Sequence, residues 1–245
     1  MQAVNLNAPN DAPLQLWLRP LTGADELSIG GPSLSDAADL LARMSEGAKI
    51  ADLSISQVDR GLAGLYGAIY GDAAECRSTC AGCAEAYEFT LSLPDIILAQ
   101  DADRDGFADA EGVFALRNGA RLRAPKLADI SADQDDLLAR LVIDGTAEPA
   151  VVETFLDCNA PVLSLDIDAA CPHCEAAAQV RFDLANYLLK RLLSERAFLV
   201  RETHLLASRY HWSYAEIMAL PREDRRAYAG LIEAERARLS RRQLA

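Results

Sequence analysis

Apolar positions along the chain change their spacing twice. In "SLSDAADLLARMSEG", Leu40, Leu41 and Met44 fall on one side of a helix that Ser35 or Asp36 caps and Gly47 stops. "SISQVDRGLAGLYGAIYG" places Val58, Leu62, Leu65, Tyr66 and Ile69 on one helical face and ends at Gly71. Before both, a loose end runs into a short strand around "LQLWLRPL", with Trp17 expected in the core. Beyond Gly71 the period shortens to two. "AECRST" and "AYEFTLSLP" flank one cysteine pair, and "PVLSLDIDA" and "AAQVRFDLA" flank another, each set reading as strand, knuckle, strand. Between them, "GVFALRNGARLRAP" holds two alternating runs joined by Asn118-Gly119, a hairpin signal because both residues tolerate positive φ. Short helices are expected over "SADQDDLLARLVID" and "EPAVVETFLD".

After Asp183 the helical period returns. Leu184 to Tyr210 runs without Gly or Pro and predicts one long helix. "HWSYAEIMALP" opens on Ser213 with Glu216 three residues later, a capping box, and "REDRRAYAGLIEAERARLSRRQ" predicts a last, charged helix. The pattern predicts an α+β protein: residues 1–52 as an N-terminal strand and helix, 53–183 as a β-rich domain with a small antiparallel zinc-ribbon-like sheet, and 184–245 as a helical subdomain.

Charge narrows the function. The 245 residues carry a net −13, against a general nucleic-acid binder. From Ala176 onward 13 Lys and Arg stand against 8 Asp and Glu, while the rest of the chain has 11 against 29. The basic end is either a solvated helix face or a surface for another subunit or for the acidic body. No basic region leads into an apolar run at the start, and charges interrupt every long apolar stretch, so no signal peptide, no membrane partner and a cytoplasmic location are expected.

In a reducing compartment, C-x-x-C pairs favour metal over disulfide. Of 6 cysteines, four form "CAGC" (Cys80, Cys83) and "CPHC" (Cys171, Cys174). Two knuckle turns can present four thiolates tetrahedrally to one structural Zn²⁺. The alternative is that some are only buried thiols. A thioredoxin-type motif does not fit, because each knuckle lies between strands. Cys76 reads as a buried thiol, and Cys158 as a small apolar side chain. "HCE" at 173–175 lacks the downstream cysteine pair of zinc deaminases, and no nucleophile elbow, phosphate loop or H-E-x-x-H occurs. His204 and His211 read as packing or capping residues, so no enzyme is expected. "DADRDGFADAEG" matches the start of a calcium loop, but Gly112 stands where the bidentate Glu belongs, and an acidic surface loop is expected over Asp101 to Gly112.

The order of these features resembles the tailed-phage-type (T-even-like) baseplate hub assembly chaperone family of contractile injection systems. The resemblance spans roughly Leu53 to Glu233 and is most specific from Glu202 to Tyr228. There "ETHLLASRYHWSYAEIMALPREDRRAYAGLI" is similar to the family's Glu-x-His-x-Leu-Ala, Tyr-x-Trp-Ser-x-x-Glu-Ile-x-x-Leu and Arg-Arg-x-x-Tyr pattern. The matching positions are His204, Leu206, Ala207, Tyr210, Trp212, Ser213, Glu216, Ile217, Leu220, Arg225, Arg226 and Tyr228, with the four knuckle cysteines. The chain departs from the family at Ala84 and Glu175, where knuckles usually continue with Gly, and at His211, which replaces a Gly before Trp212. Asp101 to Glu111 resembles an insertion. The resemblance implies a non-enzymatic assembly chaperone or permanent subunit, whose partners are baseplate, hub or spike proteins. Trp212 would anchor the turn, Arg225 and Arg226 would expose charge on one face, and with Tyr228 they form the expected docking residues. The rival expectation is a zinc-ribbon adaptor acting on nucleic acid, which the acidic body disfavours.

Overall fold

A computed structural model describes residues 1–109, 111–130 and 134–243. In chain order, the first half contains β1 (Gln2–Asn5), β2 (Gln15–Leu18), α1 (Gly23–Ser28), α2 (Leu34–Met44), β3 (Ser45–Glu46), α3 (Ile55–Tyr70), β4 (Ala73–Thr79), β5 (Ala86–Ser92) and α4 (Leu93–Ala102). Then follow β6 (Val113–Ala115), β7 (Arg121–Arg123), α5 (Gln134–Leu141), β8 (Val142–Asp144), α6 (Pro149–Asn159), β9 (Ser164–Ala170) and β10 (Ala177–Asp183). The chain finishes with α7 (Leu184–Ser194), α8 (Arg196–Tyr210), α9 (Tyr214–Ala219) and α10 (Arg222–Gln243). The result is a mixed helix and sheet protein with small antiparallel sheets.

The chain divides into two compact units, and they do not follow chain order. One combines Gln2–Leu18 with Ser45–Ala185; the other combines Arg19–Met44 with the chain from Asn186 on. Residues 1–52 contribute to both units, and the long segment of the first ends at Ala185. The first strands belong to the strand-rich unit and the first helices to the helical unit.

In the strand-rich unit, β1, β2 and β3 pair in that order, with Ala3 opposite Trp17 and Trp17 opposite Glu46. The expectation for Trp17 fails on strand geometry. Successive side chains alternate faces, so Leu16 and Leu18 take the buried face and Trp17 is 44% exposed. Helix α3, capped reciprocally by Ser54 and Gln57, buries Val58, Leu62, Leu65 and Tyr66. Its Gly64 lets β1 approach: a Cβ there would sit 2.5 Å from a methyl of Val4. The Asn118-Gly119 hairpin joins β6 to β7, as its sequence predicts, but β8 adds a third strand. Val142 to Asp144, expected to end a helix, pairs with β7 instead; α5 stops at Leu141, which enters a core with Leu122, Val152 and Leu156. Residues 131–133 of the expected helix lie outside the described residues. Helix α4 is unannounced by the period, and Ser92 Oγ caps it at the Asp95 N–H (3.3 Å) with Pro94 in the first turn.

The helical unit gathers Leu199, Leu205, Leu206, Ile217, Met218, Ala229 and Ile232 into one core. The excursion that supplies α1 and α2 closes on itself: the Arg19 N–H donates to the Met44 carbonyl at 2.9 Å. Helix α2 is capped by Ser33 Oγ on the Asp36 N–H (3.1 Å), two residues before the expected cap. The predicted long helix breaks at Glu195 into α7 and α8. Two side chains flank the break: Ser194 Oγ donates to the Arg191 carbonyl (2.8 Å), and Arg196 reaches the Ile29 carbonyl after α1 (2.8 Å). The Ser213–Glu216 capping box forms as the sequence predicts.

One expectation is reversed here. Arg225 is fully buried, because its helical face is that of Ala229 and Ile232, four and seven residues on. Its Nε donates to Glu202 (2.7 Å) and its Nη2 to Glu26 (2.6 Å), while Arg222 Nη1 meets the other Glu26 oxygen at 2.9 Å. Arg226, one step around α10, is 43% exposed and donates to Glu195 at 2.8 Å.

Candidate metal centre

The two knuckles are built alike. Strands β4 and β5 pair from Ala73↔Ser92 to Thr79↔Ala86, and β9 and β10 from Ser164↔Asp183 to Ala170↔Ala177. At each tip the first cysteine closes a turn twice. The Cys80 N–H donates to the Glu85 carbonyl (2.9 Å) and its carbonyl accepts from Ala84 (2.9 Å). Cys171 does the same with Ala176 (3.0 Å) and Glu175 (2.9 Å). The residue after each knuckle must take left-handed backbone, at φ 60° for Ala84 and 59° for Glu175. These are the positions at which glycine was expected.

The two turns bring all four sulfurs within 4.8 Å of one another. Cys80 Sγ lies 3.6 Å from Cys174 Sγ, and Cys83 Sγ lies 3.8 Å from Cys171 Sγ, so the short contacts run between hairpins. Cys80 and Cys171 are buried against Tyr87, Cys83 is half-buried and Cys174 is exposed. A backbone donor reaches the sulfur at the first position of each knuckle: Gly82 N–H to Cys80 Sγ (3.3 Å) and His173 N–H to Cys171 Sγ (3.4 Å). The Cys83 and Gly82 N–H groups pull the Cys80 thiol down to about 6. At Cys83 the Glu85 N–H acts in the same sense, but burial and the facing sulfurs outweigh it and push the thiol up to about 12. Negative charge on all four sulfurs thus needs a cation among them. The group can hold a metal ion, and among the described residues it is the cluster of ligating side chains that can.

The other cysteines are elsewhere. Cys76 is half-buried on β4, where burial raises its thiol, and Cys158 is half-buried and donates to the Asp103 carbonyl (2.9 Å). Three carboxylates of the Asp-rich segment have partners within the fold. Asp101 pairs with Arg60, Asp105 accepts from Asn159 Nδ2 (2.9 Å), and Asp109 accepts from the Glu111 and Val113 N–H groups (both 2.9 Å).

Of the expected docking residues, Trp212 and Tyr228 meet, and they include a third ring. Tyr210 stacks on Trp212 (centroids 5.0 Å, 26°), and Tyr228 stands edge-on to both, at 5.7 Å from Tyr210 and 5.2 Å from Trp212. Tyr210 and Tyr228 are exposed and Trp212 is half-buried, so the turn anchor is a surface cluster as much as a core one. The sequence signal for Tyr210 is its place two before Trp212, across His211, whose left-handed φ of 55° ends α8 and folds the two rings together. His211 serves as that cap, whereas His204 is exposed. Among the described residues no helix is long and apolar enough to cross a membrane. Comparison with protein-family models, with curated proteins and with solved structures finds no match to this chain.

Proposed function

We propose that this protein is a non-enzymatic assembly or structural factor for the baseplate hub of a phage-tail-like contractile injection system, with one structural zinc. The aromatic surface of Tyr210, Trp212 and Tyr228, within the segment that carries the family resemblance, is the observation that carries the docking role. Tyr and Trp are enriched at the centres of protein interfaces, where they supply large contact area at low entropic cost. Arg226 sits two residues before Tyr228 on α10 and adds an exposed charge at the rim. Two further observations support the resemblance itself. Glu202 and Arg225, both part of the pattern, form a buried pair at 2.7 Å. The departures Ala84, Glu175 and His211 all have positive φ, the backbone that the family's glycines adopt freely.

Zinc suits the cysteine group. A tetrahedron with metal–sulfur bonds of about 2.3 Å has edges near 3.8 Å, and the cross-hairpin sulfur contacts are 3.6 and 3.8 Å. Cys80, Cys83, Cys171 and Cys174 would hold the ion, and a closed set of four thiolates leaves no position for a reacting water. The ion would supply positive charge and a link between two zinc-ribbon-like hairpins.

The test is genetic and biochemical. Deleting the gene should leave cells without complete contractile particles while the other components are still made. Tagged protein should retain baseplate, hub or spike proteins from its native cell. Arg226→Glu should weaken that association modestly, and more at low ionic strength, because rim charges act on encounter. Normal particles in the deletion strain, or tight duplex-DNA binding at physiological salt, would sink the assembly reading.

A further inference from the structure

Helix α10 runs on past the core that seats it. Among the described residues none after Ile232 is buried, and every residue from Glu233 to Leu239 is exposed. Ion pairs from Arg201 to Glu233 (2.8 Å) and from Arg209 to Glu235 (3.0 Å) tie this stretch to α8. Exposed pairs of that kind contribute little, and helices in proteins depend on packing one face. We propose that the outer face of α10 pairs, antiparallel, with the same face of a second copy of this chain.

The residues of that face are the first observation. Asp224, Leu231 and Arg238 are spaced seven apart, with Ala227 and Ala234 between them. Seven residues fall about 20° short of two full turns, so all five share the side of α10 away from Arg225, Ala229 and Ile232. Leu231 is 59% exposed, and both alanines are exposed beside it. Gly230 adjoins them, and a Cβ built there would meet nothing within 4 Å. Glycine weakens a helix interior; here it and the alanines let a second backbone approach.

Charge says what covers this face. Asp224 stands seven residues before Leu231 and Arg238 seven after it. A second α10 turned end for end about Leu231 sets its Arg238 against Asp224 and its Asp224 against Arg238. Leucine then meets leucine at the centre, between the alanines. Glu223 and Arg241 repeat the reversal along one edge of the same face. Among the described residues, none of these four charged groups has a hydrogen bond or ion pair within the chain.

Other occupants fit worse. A parallel copy would set aspartate on aspartate and arginine on arginine, and a strand of single-sign charge would be repelled at one end. The helix's own dipole does not account for the arrangement, because it acts within the first and last turns and Arg238 lies more than a turn before Gln243. The patch is self-complementary, as a two-fold dimer requires. It is also narrow, which places the dimer at the weak end of specific association. The leucine and alanines supply contact, and the charge pairs fix direction. The pairing is independent of the docking role and of the metal, since it uses neither Arg226, the aromatic cluster nor the cysteines.

Sedimentation of the full chain, over concentrations up to about 200 µM, tests this. A reversible dimer is expected, weakened by salt. Leu231→Glu should weaken it at least tenfold without lowering the melting temperature, because that side chain lies outside the core. Asp224→Arg and Arg238→Asp should each weaken it as well, and the double variant should recover it, since the pairs re-form with their signs exchanged. A parent that stays monomeric leaves this face to some other partner and overturns the proposal. Dimerisation undiminished in Leu231→Glu, or no recovery in the double variant, overturns it equally.

Discussion

Ala84, Glu175 and His211 each carry a side chain on left-handed backbone. A Cβ there crowds the following carbonyl, at a cost of about 1 kcal/mol. Glycine at any of the three should therefore raise stability, by about 0.5–1 kcal/mol each after its looser unfolded state is counted. Thermal melts of Ala84→Gly, Glu175→Gly and His211→Gly check this, and a loss of stability would show that the side chains make contacts outweighing the strain. Asp59 gives a second prediction at this scale. Burial, with Asp183 nearby and only the Leu163 N–H in opposition, raises its carboxyl from 3.8 to about 7. The folded state then holds a proton that the unfolded chain has released. The resulting stability is full below about pH 4 and is lost as pH rises through about 7. Asn at this site keeps the acceptor for Leu163 and does not ionise. Melting temperature should therefore fall between about pH 4 and 7 in the parent relative to Asp59→Asn; parallel profiles would exclude the effect.

At the scale of elements, the knuckle hairpins were legible in the sequence because period two, a cysteine pair and period two again leave few alternatives. The same holds for α3 and the Ser213 capping box, where local chemistry and hydrophobic period agree. What failed was set by partners distant in the chain. Val142 to Asp144 reads as helix locally and becomes a strand because β7 offers an edge. The break at Glu195 depends on Arg196 reaching α1, and the burial of Arg225 on Glu26, 199 residues away. Of the candidate site, the grouping of the four cysteines was readable, whereas Tyr210 joined the aromatic group only through the backbone turn at His211. The hairpins bury little between them besides Tyr87 and the inner cysteines, so an ion should hold them together. The protein should purify with one zinc per chain, and Cys171→Ser should lose it and loosen both hairpins, since structural zinc contributes on the order of 10 kcal/mol. Metal analysis with amide exchange on β4, β5, β9 and β10 reads both effects. A zinc-free parent with equally protected strands would contradict the role.

The whole molecule is two units threaded through one another in sequence, and a cut at residue 52 severs both. The helical unit shows the cost of such a cut in one side chain. Glu26, on α1, faces Arg225 and Arg222, and both arginines are buried. Removing one partner of a buried pair leaves an uncompensated charge, at about 3–5 kcal/mol. Glu26→Ala should lower the unfolding free energy by that amount, measured by denaturant titration; a change below 1 kcal/mol would mean that Glu202 alone suffices for Arg225.

The same pairing sets an order of events during synthesis. Everything in the strand-rich unit has left the ribosome once Ala185 emerges, so its sheets and both knuckles can close while translation continues. Helices α1 and α2 are made early but must wait for α10. At about 5–20 residues per second, the interval between Glu26 and Arg225 lasts roughly 10–40 seconds. For that time a helix pair, with the apolar face of α2 uncovered and the Glu26 carboxylate unanswered, waits for the end of the chain, and the nascent chain is most open to chaperones, proteases and other copies of itself.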